Sequence, residues 1–319
     1  MTATLVLPAD DTGLSHAVAL LRAGELVALP TETVYGLAGD ARDDLAVARI
    51  FEAKNRPRFN PLIVHLARVE QVAQIAHMTP LAMRLAGAFW PGPLTLVLPL
   101  VPGHGLSALV TAGLETVAVR LPAHPVARAL LARFDGPVAA PSANPSGRIS
   151  PVSVAHVLAG LEGRIAAVVD GGDCSVGLES TILDATGDVP VLLREGGLAR
   201  EVIAQALGME VALAAADAPV TAPGQLRSHY APRASLRLNA RGAEPGEVWI
   251  GFGPDCPGTD GLTLSGSADL TEAAAALFHA LHRADALAGA GGRIAVAPVP
   301  EVGLGRAIND RLKRAAAPR

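Results

Sequence analysis

Pro30-Thr-Glu-Thr-Val-Tyr-Gly-Leu-Ala-Gly-Asp-Ala41 leads, through a short amphipathic stretch, into Lys54-Asn-Arg-Pro-Arg-Phe-Asn-Pro-Leu-Ile-Val-His65. The apolar run Leu26 to Leu29 stops at Pro30 and gives way to hydroxyls, a carboxylate, a tyrosine and glycines. This pattern predicts a buried strand that delivers a polar loop to its end, where open α/β sheets bind ligands. Asp43 and Asp44 open a helix with Val47, Ile50 and Phe51 on one face, and Lys54, Arg56 and Arg58 close it. Two cations spaced K-x-R on a proline-bounded turn suit an anion, a phosphate or a carboxylate. Lys313 is the only other lysine, and arginine carries the rest of the positive charge. Lys54 therefore reads as a compact point charge rather than a planar fork. The plainer alternative is a group of cations stabilising a helix C-terminus.

The same alternation continues on both sides. Helices are predicted from Asp10–Thr12 to a stop at Gly24, from Thr79-Pro80 to about Phe89, from His124-Pro125 to about Phe134, after a cap at Ser150-Pro151, and from about Arg200 to Leu207. Strands are predicted at Thr95–Leu98, Thr116–Pro122, Pro137–Ala140, Ala166–Val169, Ser180–Asp184 and Pro190–Leu193, several of them ending in polar, glycine-rich turns. Residues 1–210 thus read as one α/β domain built on a twisted, open sheet of mixed direction. Residues 211–234 are too long for a loop inside a compact domain and read as a linker. His229 and Tyr230 make it more than a spacer and predict that it folds back over a site. Residues 235–319, with strands at Glu247–Phe252 and Ile294–Ala297 and helices near 270–288 and 304–314, form a second, smaller Rossmann-like α/β domain.

Composition narrows the function classes. Half of the 319 residues are hydrophobic, 18% are charged and the net charge is −4, which fits a compact globular protein. A slightly acidic chain is not an electrostatic nucleic-acid binder, so any RNA contact needs a local patch. Cys174 and Cys256 have no metal or C-x-x-C spacing and read as free thiols of a reducing cytosol. With no basic segment leading an apolar one, and no apolar run of spanning length, the expectation is a cytoplasmic protein without membrane contact.

Familiar site motifs are missing. There is no phosphate loop, and Gly289-Ala-Gly-Gly-Arg-Ile294 has isoleucine where a dinucleotide fingerprint needs its last glycine. No H-E-x-x-H or G-x-S-x-G occurs, and His279 and His282 on an alanine-rich helix read as a packed or solvated pair. What remains are polar groups at strand ends: Thr31 and Thr33; Lys54, Arg56 and Asn60; His65; Thr116 and Arg120; Ser142, Asn144 and Ser150; Ser180 and Thr181; and Arg194. Singly each reads as a cap or turn residue. Together they outline a cation-rich bowl without a strong nucleophile, which suits phosphoryl or nucleotidyl transfer, where positioning and electrostatics do most of the work.

Pro30-Thr-Glu-Thr-Val-Tyr-Gly-Leu37, Lys54-x-Arg56 with Asn60-Pro-Leu62 and His65, Ser142-Ala-Asn144-x-Ser-Gly147 and Ser180-Thr-x-x-Asp184 resemble, in order, the motifs of YrdC-type L-threonylcarbamoyladenylate synthases. His229-Tyr-Ala-Pro232 and the small C-terminal domain resemble the two-domain branch of that family. The resemblance implies an enzyme that joins L-threonine, bicarbonate and ATP, with Mg²⁺ bound through the ATP phosphates, and releases pyrophosphate. A downstream threonylcarbamoyl transferase complex then modifies the adenosine beside the tRNA anticodon, and a weak tRNA contact is part of the expectation. Residue by residue, Thr33, His65, Arg120, Ser142 and Ser180 would hold threonine. Arg56, Asn60, Thr116, Ala140, Asn144, Ser150, Arg194 and Tyr230 would hold ATP, with His229 beside Tyr230, and Lys54 and Arg56 would be the catalytic cations, Lys54 near the phosphates or the carbamate. Pro223-Gly-Gln-Leu-Arg-Ser228 departs from the more basic and aromatic segment usual there. Two alternatives stand beside this one: an RNA-binding or ribosome-associated module, and a carbamoyl-transfer enzyme with another acceptor, whose known forms carry extra domains.

Overall fold

The computed structural model describes residues 3–57, 59–215, 223 and 228–318; Arg58 and the linker residues Gln225, Leu226 and Arg227 lie outside them. Eleven strands form one sheet in the order Leu5–Pro8, Ala167–Asp170, Val27–Leu29, Gly36–Asp40, Val138–Ala139, Ile63–His65, Thr116–Arg120, Leu94–Pro99, Thr181–Asp184, Val191–Arg194 and Ala212–Leu213. Its directions are mixed. Ile63–His65 runs parallel to Thr116–Arg120, which is antiparallel to Leu94–Pro99, which in turn is parallel to Thr181–Asp184.

The register of these four strands builds the site. Side chains alternate between faces with a period of two. On one face Ile63, Ala118, Val97 and Ile182 pack together as a small apolar cluster. Two residues further along, at one end of these central strands, come His65, Arg120 and Thr95 in register, with Ser180 just ahead of the fourth strand and 2.7 Å from Thr95 Oγ1. An apolar row therefore ends in a polar one.

Most helix boundaries follow from their caps. Asp10, Asp43 and Thr79 accept from the first-turn amides of Asp11–Arg22, Asp44–Lys54 and Pro80–Phe89. The helix expected after Ser150-Pro151 instead begins at Val154, with Ser153 as its cap; Ser150 is fully buried and donates to Glu179. Two nearby serines offer equal capping chemistry, and packing selects between them. The sheet also extends beyond residue 210, because Ala212–Leu213 pairs in parallel with Val191–Leu192. The strands Leu5–Pro8, Gly36–Asp40 and Ser235–Arg237 have no counterpart in the sequence reading. Gly36–Asp40 holds two glycines in five residues, an unlikely strand by propensity, and a Cβ at Gly39 would press to 3.1 Å from Ile50 Cδ1.

The second sheet has three parallel strands in the order Ser235–Arg237, Arg293–Val296, Glu247–Ile250, accompanied by the helices Leu270–Ala288 and Leu304–Ala316. Leu277, Phe278 and Leu281 join the same apolar cluster as Ile149, Val152 and Val157 of the first domain. Gly177, at φ +70°, lets the first domain touch that helix: a Cβ there would lie 2.5 Å from Ala274 O. Asp285 ties down the linker's end, accepting from the Arg233 and Ala234 amides and the Arg233 guanidinium.

Candidate active site

The polar row becomes the floor of a cavity lined by Thr31, Thr33, Gly36, Arg56, His65, Arg120, Ala140, Ser142, Glu179, Ser180, Arg194, Pro223, His229 and Tyr230, among others. Arg120 is buried; its Nη1 donates to Thr33 Oγ1 (2.8 Å) and its Nε to Gly92 O (3.2 Å). Thr31 and Thr33 hydroxyls lie 2.8 Å apart, and Thr31 donates to Val34 O. Each hydroxyl has one proton, so the chain runs from Arg120 to Thr33 to Thr31 to the backbone. Glu32 Oε1 lies 2.7 Å from Arg120 Nη2, but the two are not aligned for a hydrogen bond. The contact is an ion pair that leaves both atoms with bonding capacity. Burial raises the Glu32 pKa, and Arg120 outweighs it and holds the carboxyl below its usual range. His65 is pushed down to about 3, first by burial and then by Arg120, so its imidazole is neutral.

Arginines form the opposite wall. Arg194 is buried and donates to Ser180 O (2.8 Å), Ser180 Oγ (3.2 Å) and Pro223 O (3.2 Å), while Ser180 Oγ lies 2.7 Å from Thr95 Oγ1. Gly196 allows that approach: a Cβ there would sit 2.4 Å from Glu179 O and the Ser180–Thr181 backbone. Arg56 donates to Asn60 O and Pro61 O, and burial with Arg194 nearby lowers its pKa to about 10.

Of the residues expected to form the site, Thr33, Arg56, His65, Arg120, Ala140, Ser142, Ser180, Arg194 and Tyr230 line this one cavity. Lys54, Asn60, Thr116, Asn144 and Ser150 stand behind it. Lys54 is 1% exposed and its ammonium donates to Ser142 O (2.5 Å) and Asn144 O (2.6 Å), gripping the loop that carries Ser142. Burial, then the Arg56 charge, lowers the Lys54 pKa well below its ordinary value. Asn60 is buried with both amide atoms unpartnered among the described residues. Thr116 opens its strand and, by the register Ile63↔Ala118, lies beside the residues just before Ile63, next to Asn60. Ser150 Oγ donates to Glu179 Oε1 (2.5 Å). Tyr230 adopts φ +62° and sits 1% exposed under the Arg311 guanidinium, 5.3 Å from its ring centre.

Sequence reasoning missed Glu32, Glu179 and Arg311. The two carboxylates precede Thr33 and Ser180 directly, and that adjacency was the available signal. Arg311, on a helix near the C-terminus, gave none. His279 and His282 face His156 of the first domain: His156 and His282 stack at 3.8 Å, and His282 Nε2 lies 3.1 Å from Ser150 O.

Fold and cavity together define a YrdC-type α/β protein; the structure of E. coli YciO shares the fold over 61% of this chain and 96% of that one, at 23% identity and TM-score 0.55. The Sua5/YciO/YrdC family model, described as telomere recombination, matches residues 19–196, and the model of the threonylcarbamoyl-AMP synthase C-terminal domain matches residues 198–317. The chain belongs to this family, in its two-domain form. The threonylcarbamoyl-AMP synthase of Pyrococcus abyssi is 42% identical over 96% of this chain and 94% of its own length. That of Bacillus subtilis is 48% identical over 73% of this chain and 68% of its own. The crystal structure of P. abyssi Sua5 complexed with L-threonine superposes with TM-score 0.88 at 39% identity, covering 99% of this chain and 98% of that one.

Proposed function

We propose that this chain is a threonylcarbamoyl-AMP synthase, joining L-threonine, bicarbonate and ATP with release of pyrophosphate. One observation carries the reading: a buried guanidinium, Arg120, whose Nη2 is ion-paired to Glu32 without an aligned hydrogen bond, shares a single cavity with the arginines Arg56 and Arg194. A free amino acid needs the first and a triphosphate the others. Arg120 would hold the threonine carboxylate, with Thr33, the neutral His65, Ser142 and Ser180 completing its shell. Arg56, Asn60, Thr116, Ala140, Asn144, Ser150, Arg194 and Tyr230 would hold ATP, and Lys54 would fix the Ser142–Asn144 loop against it.

The chemistry follows from that placement. The threonine amine and bicarbonate lose water to give a carbamate, whose oxygen attacks the α-phosphorus and expels pyrophosphate. Arg56 and Arg194 stabilise the charge that develops on the phosphates. Mg²⁺ would enter with ATP and offset phosphate charge. Among the described residues, Glu179 is the carboxylate that lines the cavity and it is committed to Arg311, so the ion would be held through phosphate oxygens. The cavity bounded by the described residues holds about 50 Å³, room for a few waters. The linker residues Pro223, His229 and Tyr230 form one side of it. The product passes to a separate transferase complex acting on tRNA, with at most weak tRNA contact by this chain. A polyanion-binding module is disfavoured because Arg56, Arg120 and Arg194 are all less than one-tenth exposed and cannot displace counterions along an RNA backbone. No helix among the described residues is long and apolar enough to cross a membrane.

The test is pyrophosphate release from ATP, Mg²⁺ and bicarbonate with L-threonine or L-serine, in wild type and Lys54→Ala. Threonine-dependent release that the substitution abolishes supports the synthase reading. Absence of release from folded wild-type protein with either amino acid overturns it.

A further inference from the structure

Glu179 poses a problem for any anion site: a buried carboxylate lines the cavity beside Ser180 and Arg194. The compensation comes from the other domain. Arg311, on the helix Leu304–Ala316, has a fully buried side chain, and its Nε donates to Glu179 Oε2 at 3.0 Å across 132 residues of sequence. Its Nη1 donates to Asp310 Oδ2 (2.9 Å), and Asp310 in turn accepts from Arg314 Nε (2.9 Å). Two arginines and two carboxylates cancel, so Arg56 and Arg194 keep their charge toward the cavity. The same guanidinium lies over Tyr230, and the linker is held alongside by His229 N donating to Arg314 O (3.2 Å).

We propose that Arg311 is a positioning residue of the nucleotide site: the counter-ion, supplied by the second domain, that cancels Glu179 and leaves the charge of Arg194 and Arg56 for phosphate. It rests on the synthase reading for the identity of the anion. Without Arg311 the buried carboxylate would draw Arg194 to itself and repel phosphate. Thr33, His65 and Arg120 of the threonine floor lie on other elements, and of that floor only Ser180 touches this cluster.

The pairing holds both groups in the charged form against the effect of burial. Desolvation opposes ionisation of Glu179, yet Arg311, Arg194 and the Ser150 hydroxyl hold its carboxyl below the usual range. Arg311 itself is held protonated, since Tyr230, Glu179 and Asp310 together outweigh its burial.

The experiment is calorimetric titration of the full chain with ATP plus Mg²⁺ and, separately, with L-threonine. Arg311→Met is expected to weaken ATP binding ~10-fold or more, the loss of one unit charge beside the phosphates, with threonine affinity within ~3-fold of wild type. Glu179→Gln, which removes a negative charge from an anion site, is expected to tighten ATP, and in the Arg311→Met background to restore it. A purely structural role predicts the reverse: Glu179→Gln weakens ATP, and Arg311→Met lowers both affinities together. Either result overturns the proposal. If Arg311→Met does not fold, Arg311→Lys and Glu179→Gln carry the test. Arg311→Lys keeps the charge while giving up the planar fork, so ATP affinity should stay within ~10-fold of wild type; a larger loss overturns the proposal. These titrations need no turnover. Wild type that binds ATP yet releases no pyrophosphate fails the synthase reading alone, whereas wild type that binds no ATP overturns both.

Discussion

The floor and the wall of the cavity are built in different ways. The floor sets His65, Arg120 and Thr95 in one row across three adjacent strands, with Ser180, just before the fourth, bonded to Thr95, so most of its geometry follows from strand register. The wall (Arg194, Glu179, Ser150, Tyr230, Arg311) gathers a strand end, two loops, the linker and a helix of the second domain. A row in a sheet is rigid because every member shares backbone hydrogen bonds with its neighbours. The wall holds together only while side chains from both domains stay paired. The amino-acid half is thus preorganised, and the nucleotide half depends on how the domains sit.

Breaking the floor should have the largest effect. Arg120→Met leaves Glu32 as an unpaired buried carboxylate, and loss of one partner of such a pair costs about 3–5 kcal/mol. The expected result is a large drop in urea-unfolding stability together with loss of threonine-dependent pyrophosphate release. Adding Glu32→Gln should recover most of the stability and none of the release. If the single variant is as stable as wild type, the floor is not held by this pair.

Acid should separate the two halves next. His65 on the floor and His229 on the linker are each held neutral, down to about 3, chiefly by burial. Above pH 6.5 both are neutral whether folded or not, and their contribution to stability is complete. As pH falls below 6.5 the unfolded chain takes up protons that the folded chain refuses, at up to ~1.4 kcal/mol per pH unit per histidine. His156 and His282, lowered by burial to about 3 and about 4, act with the same sign at the contact between domains. Unfolding stability should therefore fall steadily from pH 6.5 towards 4. The pair His156→Gln and His282→Gln should flatten that slope more than His65→Gln does. A profile that is flat down to pH 4 would contradict the burial of these rings.

The smallest effect distinguishes two serines. Ser153→Ala removes a helix cap and should cost about 1 kcal/mol of stability with pyrophosphate release unchanged. Ser150→Ala should cost at least as much stability and in addition raise the KM for ATP, since Glu179 loses its hydroxyl donor. Equal kinetic behaviour of the two variants would remove Ser150 from the wall.

That pair also marks how far the sequence could be read. Helices with an unambiguous cap, such as Asp43 before Asp44–Lys54, were legible because the cap bond is local. Ser150 and Ser153 were not separable, because burial of one hydroxyl against Glu179 is decided 29 residues away. Gly36–Asp40 was read as part of a loop because its strand character comes from neighbours and not from its own residues. Lys54 stood out in the sequence as a rare lysine expected near an anion, and it lies behind the cavity instead. Its two carbonyl partners, 88 and 90 residues further along, could not be inferred from spacing.

By itself the sequence determined the α/β alternation, the strand ends that carry polar groups and the order of motifs that places the chain in its family. Each of these depends on side-chain period, capping or turn chemistry within a few residues. The tertiary structure alone decided which charges cancel. Glu32 is paired with Arg120, and Glu179 with Arg311 of the other domain, leaving Arg56 and Arg194 to face the cavity. A buried charge is tolerated only beside its partner, and that partner is chosen by distance in space, which no local pattern encodes.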